Sequence, residues 1–183
     1  MRVIARVHSD FSSKFGVPRQ SGLVEELEST LVFEPEFRNE DALRGLEGFS
    51  HLWLVWVFHQ AARGEWSPTV RPPRLGGNAR LGVFATRSRP NPIALSAVRL
   101  AGVERTAGQG TVLRLRGADL VDGTPVLDIK PYLPYADCVP GALGGFAAAP
   151  AGETVEVAIP PDLLERVPPD RREALRGVLA QDP

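Results

Sequence analysis

The run Phe49-Ser50-His51-Leu52-Trp53-Leu54-Val55-Trp56-Val57-Phe58-His59-Gln60 is aromatic or β-branched almost throughout. With apolar residues on both faces, it predicts a central strand buried on two sides. His59 and Gln60 stand where that strand emerges; a histidine in such a place more often completes the structure than a reaction. Shorter segments of strand period flank the run. Arg2 to Val7 alternates apolar and polar residues, and Leu23, Leu27, Leu31 and Phe33 occupy odd positions among glutamates and serines. Downstream, Leu81 to Ala85, Leu95 to Val103, Val112 to Arg116 and Val126 to Ile129 are separated by Gly, Thr and Asp turns, and Val155, Val157 and Ile159 alternate in a last predicted strand. About seven short strands with turn signals and little helix indicate a mainly β fold, an antiparallel barrel or sandwich.

Helical signals are few. Asn39 can cap a short helix with Ala42, Leu43 and Leu46 on one face, stopped near Gly48. Pro160-Pro161 and Pro168-Pro169 break the C-terminal part into two short helical pieces, the second capped by Asp170 with Leu175, Val178 and Leu179 on one side. The expected organisation is a β domain over 1–159 and a helical extension over 160–183, joined through an Ala/Pro/Gly linker from Phe146 to Gly152. Gly64 to Gly77 holds three prolines and reads as a long ordered loop. In Gly82-Val83-Phe84-Ala85-Thr86-Arg87-Ser88-Arg89-Pro90-Asn91-Pro92-Ile93-Ala94-Leu95-Ser96, two prolines stiffen the backbone around Asn91. A plain hairpin would use Asn-Gly or Asp-Gly, so this turn presents polar groups in fixed geometry or makes a proline-stiffened corner.

Composition narrows the function classes. At 183 residues, with 43% hydrophobic residues and a net charge of -1, the chain suits one well-buried core and carries no overall basic signal for nucleic acid. Locally the balance differs: from Arg63 to Arg89 there are six arginines and one acid, a net +5. Such a stripe can hold phosphates. Cys138 stands alone, which excludes an intramolecular disulfide, and His8, His51 and His59 lack metal-ligand spacing, so no metal is expected. No basic region followed by an apolar stretch marks the N-terminus and no run is long enough to span a membrane, consistent with a cytoplasmic protein. There is no G-x-G-x-x-G after a strand, no P-loop and no G-x-S-x-G elbow.

Five blocks, Lys14 to Gln20, Gly45 to Trp53, Arg71 to Asn78, Ala85 to Ser88 and Asp119 to Tyr132, together resemble the TrmO (TsaA-like) family. These are tRNA adenine-N6 methyltransferases that use S-adenosylmethionine (SAM) and act on threonylcarbamoyl-adenosine beside the anticodon. The resemblance implies a small antiparallel β-barrel that binds SAM without a Rossmann sheet, a homodimer, and a further C-terminal domain following the equivalent of Pro183. Carried over by motif, the cofactor contacts are Pro18, Arg19, Gln20, His59, Gln60, Arg87, Leu95, Asp122, Gly123, Thr124 and Pro125. An arginine suits the carboxylate of SAM, Asp122 or Gln20 its ammonium and ribose hydroxyls, and Leu95 with the backbone near Gly123 its adenine. The family pattern has two further residues between Ser88 and Arg89, and a glycine where this chain has Ala94.

Methyl transfer from a sulfonium asks the protein mainly to align the reacting atoms. The side-chain oxygen of Asn91 and a neighbouring proline carbonyl are the candidate acceptors for the N–H groups of an exocyclic amine. Tyr132 is the candidate to stack on the flipped base, with Asp128 and Lys130 as other polar groups near it. Arg71, Arg74 and Arg89 are the candidate RNA contacts. The rival readings are a non-catalytic barrel that senses SAM or another nucleotide, and a plain RNA-binding module; the former has no use for the basic stripe, the latter none for the Asp122-Gly123-Thr124-Pro125 turn.

Overall fold

The computed structural model describes residues 1–60, 66–87, 90–148 and 154–181, without the side chain of Arg74. Among the described residues there are eight strands: β1 (Ala5–His8), β2 (Glu28–Phe33), β3 (His51–Val57), β4 (Thr69–Val70), β5 (Leu81–Gly82), β6 (Ile93–Thr106), β7 (Gly110–Arg116) and β8 (Pro125–Pro131). Six of them form a closed barrel in the order β1-β2-β7-β6-β3-β8, every pairing antiparallel, with β8 returning to β1 through Ala5 and Val126. The long β6 serves two neighbours, pairing β3 from Ile93 to Arg99 and β7 from Arg99 to Thr106. Register shifts between Leu100 and Gly102 on β6, and opposite Val55 and Trp56 on β8, bend the wall where it must curve to close.

One face of each strand fills the interior. Ala5 and Val7 from β1, Leu31 and Phe33 from β2, Leu52, Leu54 and Trp56 from β3, Val98 from β6, Leu113 and Leu115 from β7 and Val126 from β8 make one buried cluster. The expectation that Phe49 to Gln60 is buried on both faces is corrected here. In β3 Leu52, Leu54 and Trp56 are buried while Trp53, Val55 and Val57 on the other face are only partly covered, because a single-layer barrel wall has one inside and one outside. Leu23 to Leu27 is likewise not part of β2; it is a turn-rich segment that turns Val24 and Leu27 toward a second cluster. Asn39 caps a short 3-10 turn, Glu40–Leu43, through Oδ1 accepting from the Asp41 amide at 3.0 Å. Leu43 is buried, whereas Leu46 opens a separate turn, Leu46–Gly48.

The predicted Gly64–Gly77 loop contains β4, which pairs with β5 in a two-stranded ribbon outside the barrel, and a 3-10 turn, Pro73–Leu75. Leu81 to Ala85 is correspondingly only β5 followed by the turn Val83–Ala85. Beyond β8 lie α1 (Pro134–Asp137), α2 (Pro161–Glu165) and α3 (Arg172–Ala180). Residues Thr154 to Ile159 form no strand, contrary to their alternation: the closed ring offers no free edge, and the Val155 amide donates instead to the Ala180 carbonyl at 2.9 Å. Asp170 does not cap α3, whose first turn lacks a side-chain cap; the docked positions are Ala174 and Val178, with Leu179 exposed. They pack on Val24, Leu27 and Phe11. The approach at Gly177 is close: a Cβ there would lie 2.6 Å from Val24 Cγ1, so a larger residue would force the Val24 side chain or the helix to shift. Among the described residues no helix is long and apolar enough to cross a membrane.

Candidate active site

Antiparallel pairing of β3 with β6 sets Trp56 opposite Ala94 and Leu54 opposite Ser96, so the end of one strand and the start of the other share one rim of the barrel. A cleft of about 530 Å³ opens at that rim. Its walls are the loop Ser13 to Gln20, the residues Trp56 to Gln60, Arg87, the start of β6 and the turn Asp119 to Thr124. The volume falls in the range of small-molecule sites.

Most of the anticipated cofactor contacts meet here. Pro18, Arg19, Gln20, His59, Gln60, Arg87, Leu95 and Thr124 all line the cleft, although they come from five separate stretches of chain. Several are fixed by hydrogen bonds: the Arg87 guanidinium donates to Gln20 Oε1, Gln60 Nε2 donates to the Ser12 carbonyl at 3.2 Å, and Gln20 Nε2 to the Arg19 carbonyl at 2.6 Å. Leu95 is half exposed, an apolar surface turned outward on a strand whose neighbours Ala94 and Ser96 face inward.

The other three members of that set sit beside the cleft. Asp122 Oδ1 accepts from the Ser9 amide at 3.1 Å and lies 3.4 Å from His8 Nδ1, so its carboxylate stitches the turn to β1. Gly123 takes a left-handed φ of 75°, its amide donates to the Val7 carbonyl at 2.8 Å, and a Cβ there would come within 4.0 Å of His59 Nε2. Pro125 begins β8 opposite Arg6. Thr124 completes the turn by donating Oγ1–H to the Val121 carbonyl at 2.6 Å.

The candidate reaction groups are not brought together. Asn91 is exposed and does not line the cleft, and the neighbouring Pro92 carbonyl already accepts the Phe58 amide at 2.9 Å. Tyr132 follows β8 at the opposite end of β3, its amide bonded to the His51 carbonyl and its ring 5.6 Å from that of Trp53. The length of β3 therefore separates it from His59 by about 20 Å. Asp128 and Lys130 form an ion pair at 2.7 Å along β8, also outside the cleft. Of the arginine stripe, Arg71 and Arg80 are exposed; Arg89, Arg63 and the Arg74 side chain lie outside the described residues.

The model matching this architecture is that of the tRNA-methyltransferase O N-terminal domain, aligned over residues 6–138. The chain belongs to this family. It is 51% identical to the tRNA (adenine(37)-N6)-methyltransferase of Escherichia coli K12, an alignment covering 98% of the chain and 80% of that relative. A putative S-adenosylmethionine-dependent methyltransferase, RcsF, of Pseudomonas aeruginosa is 54% identical over 80% of the chain and 62% of its own length. The crystal structure of TrmO from Pseudomonas aeruginosa superposes with a TM-score of 0.78 at 43% identity, covering 99% of this chain and 80% of that one.

Within the family fold, several cleft residues escaped the sequence reading, among them Lys14, Phe15, Phe58, Val121 and, as the single carboxylate of the described lining, Asp119. Asp119, half-buried between the buried Ala118 and Leu120, turns its carboxyl into the cleft wall, where Oδ1 accepts from Ser96 Oγ at 2.8 Å. Ser96 Oγ in turn accepts from Trp56 Nε1 at 3.0 Å. Burial raises the Asp119 carboxyl above the ordinary carboxylate range, against the opposing pull of Ser96, its own backbone, the Arg87 charge and the Ser21 backbone. The legible signal was an acid flanked by core residues. Among the described residues no three His, Cys, Asp or Glu side chains group as metal ligands.

Proposed function

We propose that the cleft binds SAM and that the chain methylates N6 of the adenosine at position 37 of tRNA, with threonylcarbamoyl-adenosine as the acceptor, in the cytoplasm. The observation that carries this reading is the convergence of Pro18, Arg19, Gln20, His59, Gln60, Arg87, Leu95 and Thr124 on one cleft in a chain of this family. The lining also suits the ligand: Lys14, Arg19 and Arg87 face a carboxylate, Asp119 and Gln20 offer acceptors, and Phe15, Phe58, Leu95 and Val121 provide apolar surface for a purine. When bound, SAM supplies an activated methyl group on sulfur. The chain's part is to orient and shield. Arg87, held by Gln20, anchors the amino-acid end, and the Asp122-Gly123-Thr124-Pro125 turn, tied to β1, holds the rim in place. Asn91, exposed two residues before β6, is the group we assign to accept the amine N–H of the incoming base. Tyr132 is assigned to the RNA rather than to the methyl group, because it stands a strand's length from the cleft.

We further propose that the protein works as a homodimer, with tRNA held by Arg71, Arg74 and Arg89. Every residue from Pro134 to Ala148 is exposed, including Tyr135, Val139 and Leu143 at 86%, 67% and 99%. An arm with that much uncovered apolar surface fits a second copy. The reading of the cleft is tested by melting. A ligand specific for the folded state raises the transition by mass action, so millimolar SAM should shift it upward and Arg87→Ala should remove most of that shift. An unchanged wild-type melting curve would sink it.

A further inference from the structure

The cleft's charges are unevenly shared. Among the described lining residues Lys14, Arg19 and Arg87 are cationic, His59 can become so, and Asp119 is the single carboxylate. A ligand carrying both signs finds several homes for its anion but one for its cation. Asp119 is held for that purpose by a chain of donors. Trp56 Nε1–H donates to Ser96 Oγ at 3.0 Å, so the serine's own hydrogen is directed to Asp119 Oδ1 at 2.8 Å. Trp56 and Ser96 are both buried, on adjacent strands of the barrel wall, and this fixes the carboxylate's direction. The nearby guanidinium of Arg87 is shared with Gln20, and burial outweighs all the groups that favour the charged form of Asp119. The wall thus presents an oriented acceptor that lacks a full cationic partner.

We propose that Asp119 receives the α-ammonium group at the amino-acid end of the cofactor, beside Arg87 on the adjoining carboxylate, and that Ser96 and Trp56 are its positioning residues. The inference rests on the SAM reading of the cleft and adds to it the residue that recognises the ligand's cation. Ammonium and carboxylate share one carbon in an α-amino acid, so their partners must face one cleft together, as Asp119 and Arg87 do. The sulfonium is the poorer match: it has no N–H, whereas a fixed oxygen acceptor suits a group with three donors.

Calorimetric titration of the wild-type chain, Asp119→Asn and Ser96→Ala with three ligands tests this. The ligands are SAM, S-adenosylhomocysteine, which keeps the amino-acid end without the sulfonium, and 5′-methylthioadenosine, which lacks the amino-acid end. Asp119→Asn should weaken SAM and S-adenosylhomocysteine alike, by about tenfold or more, as expected for a hydrogen bond to a charged group. Methylthioadenosine should bind as before, which also shows that the variant is folded. Ser96→Ala should give the same pattern with a smaller factor. Weakening of SAM alone would place Asp119 on the sulfonium and overturn the proposal, as would unchanged affinities, or equal weakening of all three ligands from a collapsed wall. A wild-type chain that binds none of the three would overturn the SAM reading itself, and this inference with it.

Discussion

Asp119 is where stability and binding pull apart. Its folded carboxyl titrates above the ordinary carboxylate value, chiefly through burial, so the folded state binds the proton more tightly than the unfolded chain. Stability therefore falls as pH rises from the ordinary carboxylate range, about 4, through the raised folded value, and is level above it. Asp119→Asn keeps an acceptor for Ser96 and removes the buried charge. We expect it to melt higher than wild type at pH 7, by about 2–4 °C, with the gap closing toward pH 3 to 4. Lys14, Arg19, His59 and Arg87, the other charged or titratable groups lining the cleft, are common to both proteins at each pH. A gap that persisted at pH 3 would assign the effect to packing instead. The same residue shows the limit of reading the site from sequence. Arg87 and Gln20 stood out within their motifs, but Asp119 and Asp122 are alike on paper, two acids three residues apart. Only the fold sends one to the cleft wall and the other to His8 and Ser9.

At the scale of elements, strands were legible wherever one face met the interior and the other met water, as in β1 and β2, whose alternation survives in the burial pattern. Two of the places where the pattern misled did so for opposite reasons. β3 carries Trp53 and Val55 on its outer face, so an apolar sequence does not betray which side is inside. Thr154 to Ile159 alternates without pairing, because closure of the ring depends on contacts distant in sequence. β4, read only as part of a proline-rich loop, pairs with β5 in a ribbon, and Arg71, the residue after β4, is exposed. If the ribbon holds RNA phosphates, Arg71→Ala with Arg74→Ala should weaken tRNA binding and flatten the plot of log affinity against log salt by about 0.7 to 0.9 per lost contact. A lowered melting temperature with an unchanged salt slope would instead make these arginines structural.

For the whole molecule, the barrel provides a rigid rim and the arm beyond β8 an uncovered apolar surface. Light scattering should accordingly give twice the chain mass of 19.8 kDa. A mass near that of one chain across a concentration series would remove the dimer from the account. The central claim is methyl transfer, and it can be measured without knowing how the RNA docks. Protein is incubated with methyl-labelled SAM and tRNA carrying threonylcarbamoyl-adenosine at position 37, and the nucleosides are separated after digestion. The account predicts label in the N6-methylated form of that nucleoside, abolished by Arg87→Ala. Wild-type protein that binds SAM yet leaves the tRNA unlabelled would contradict it.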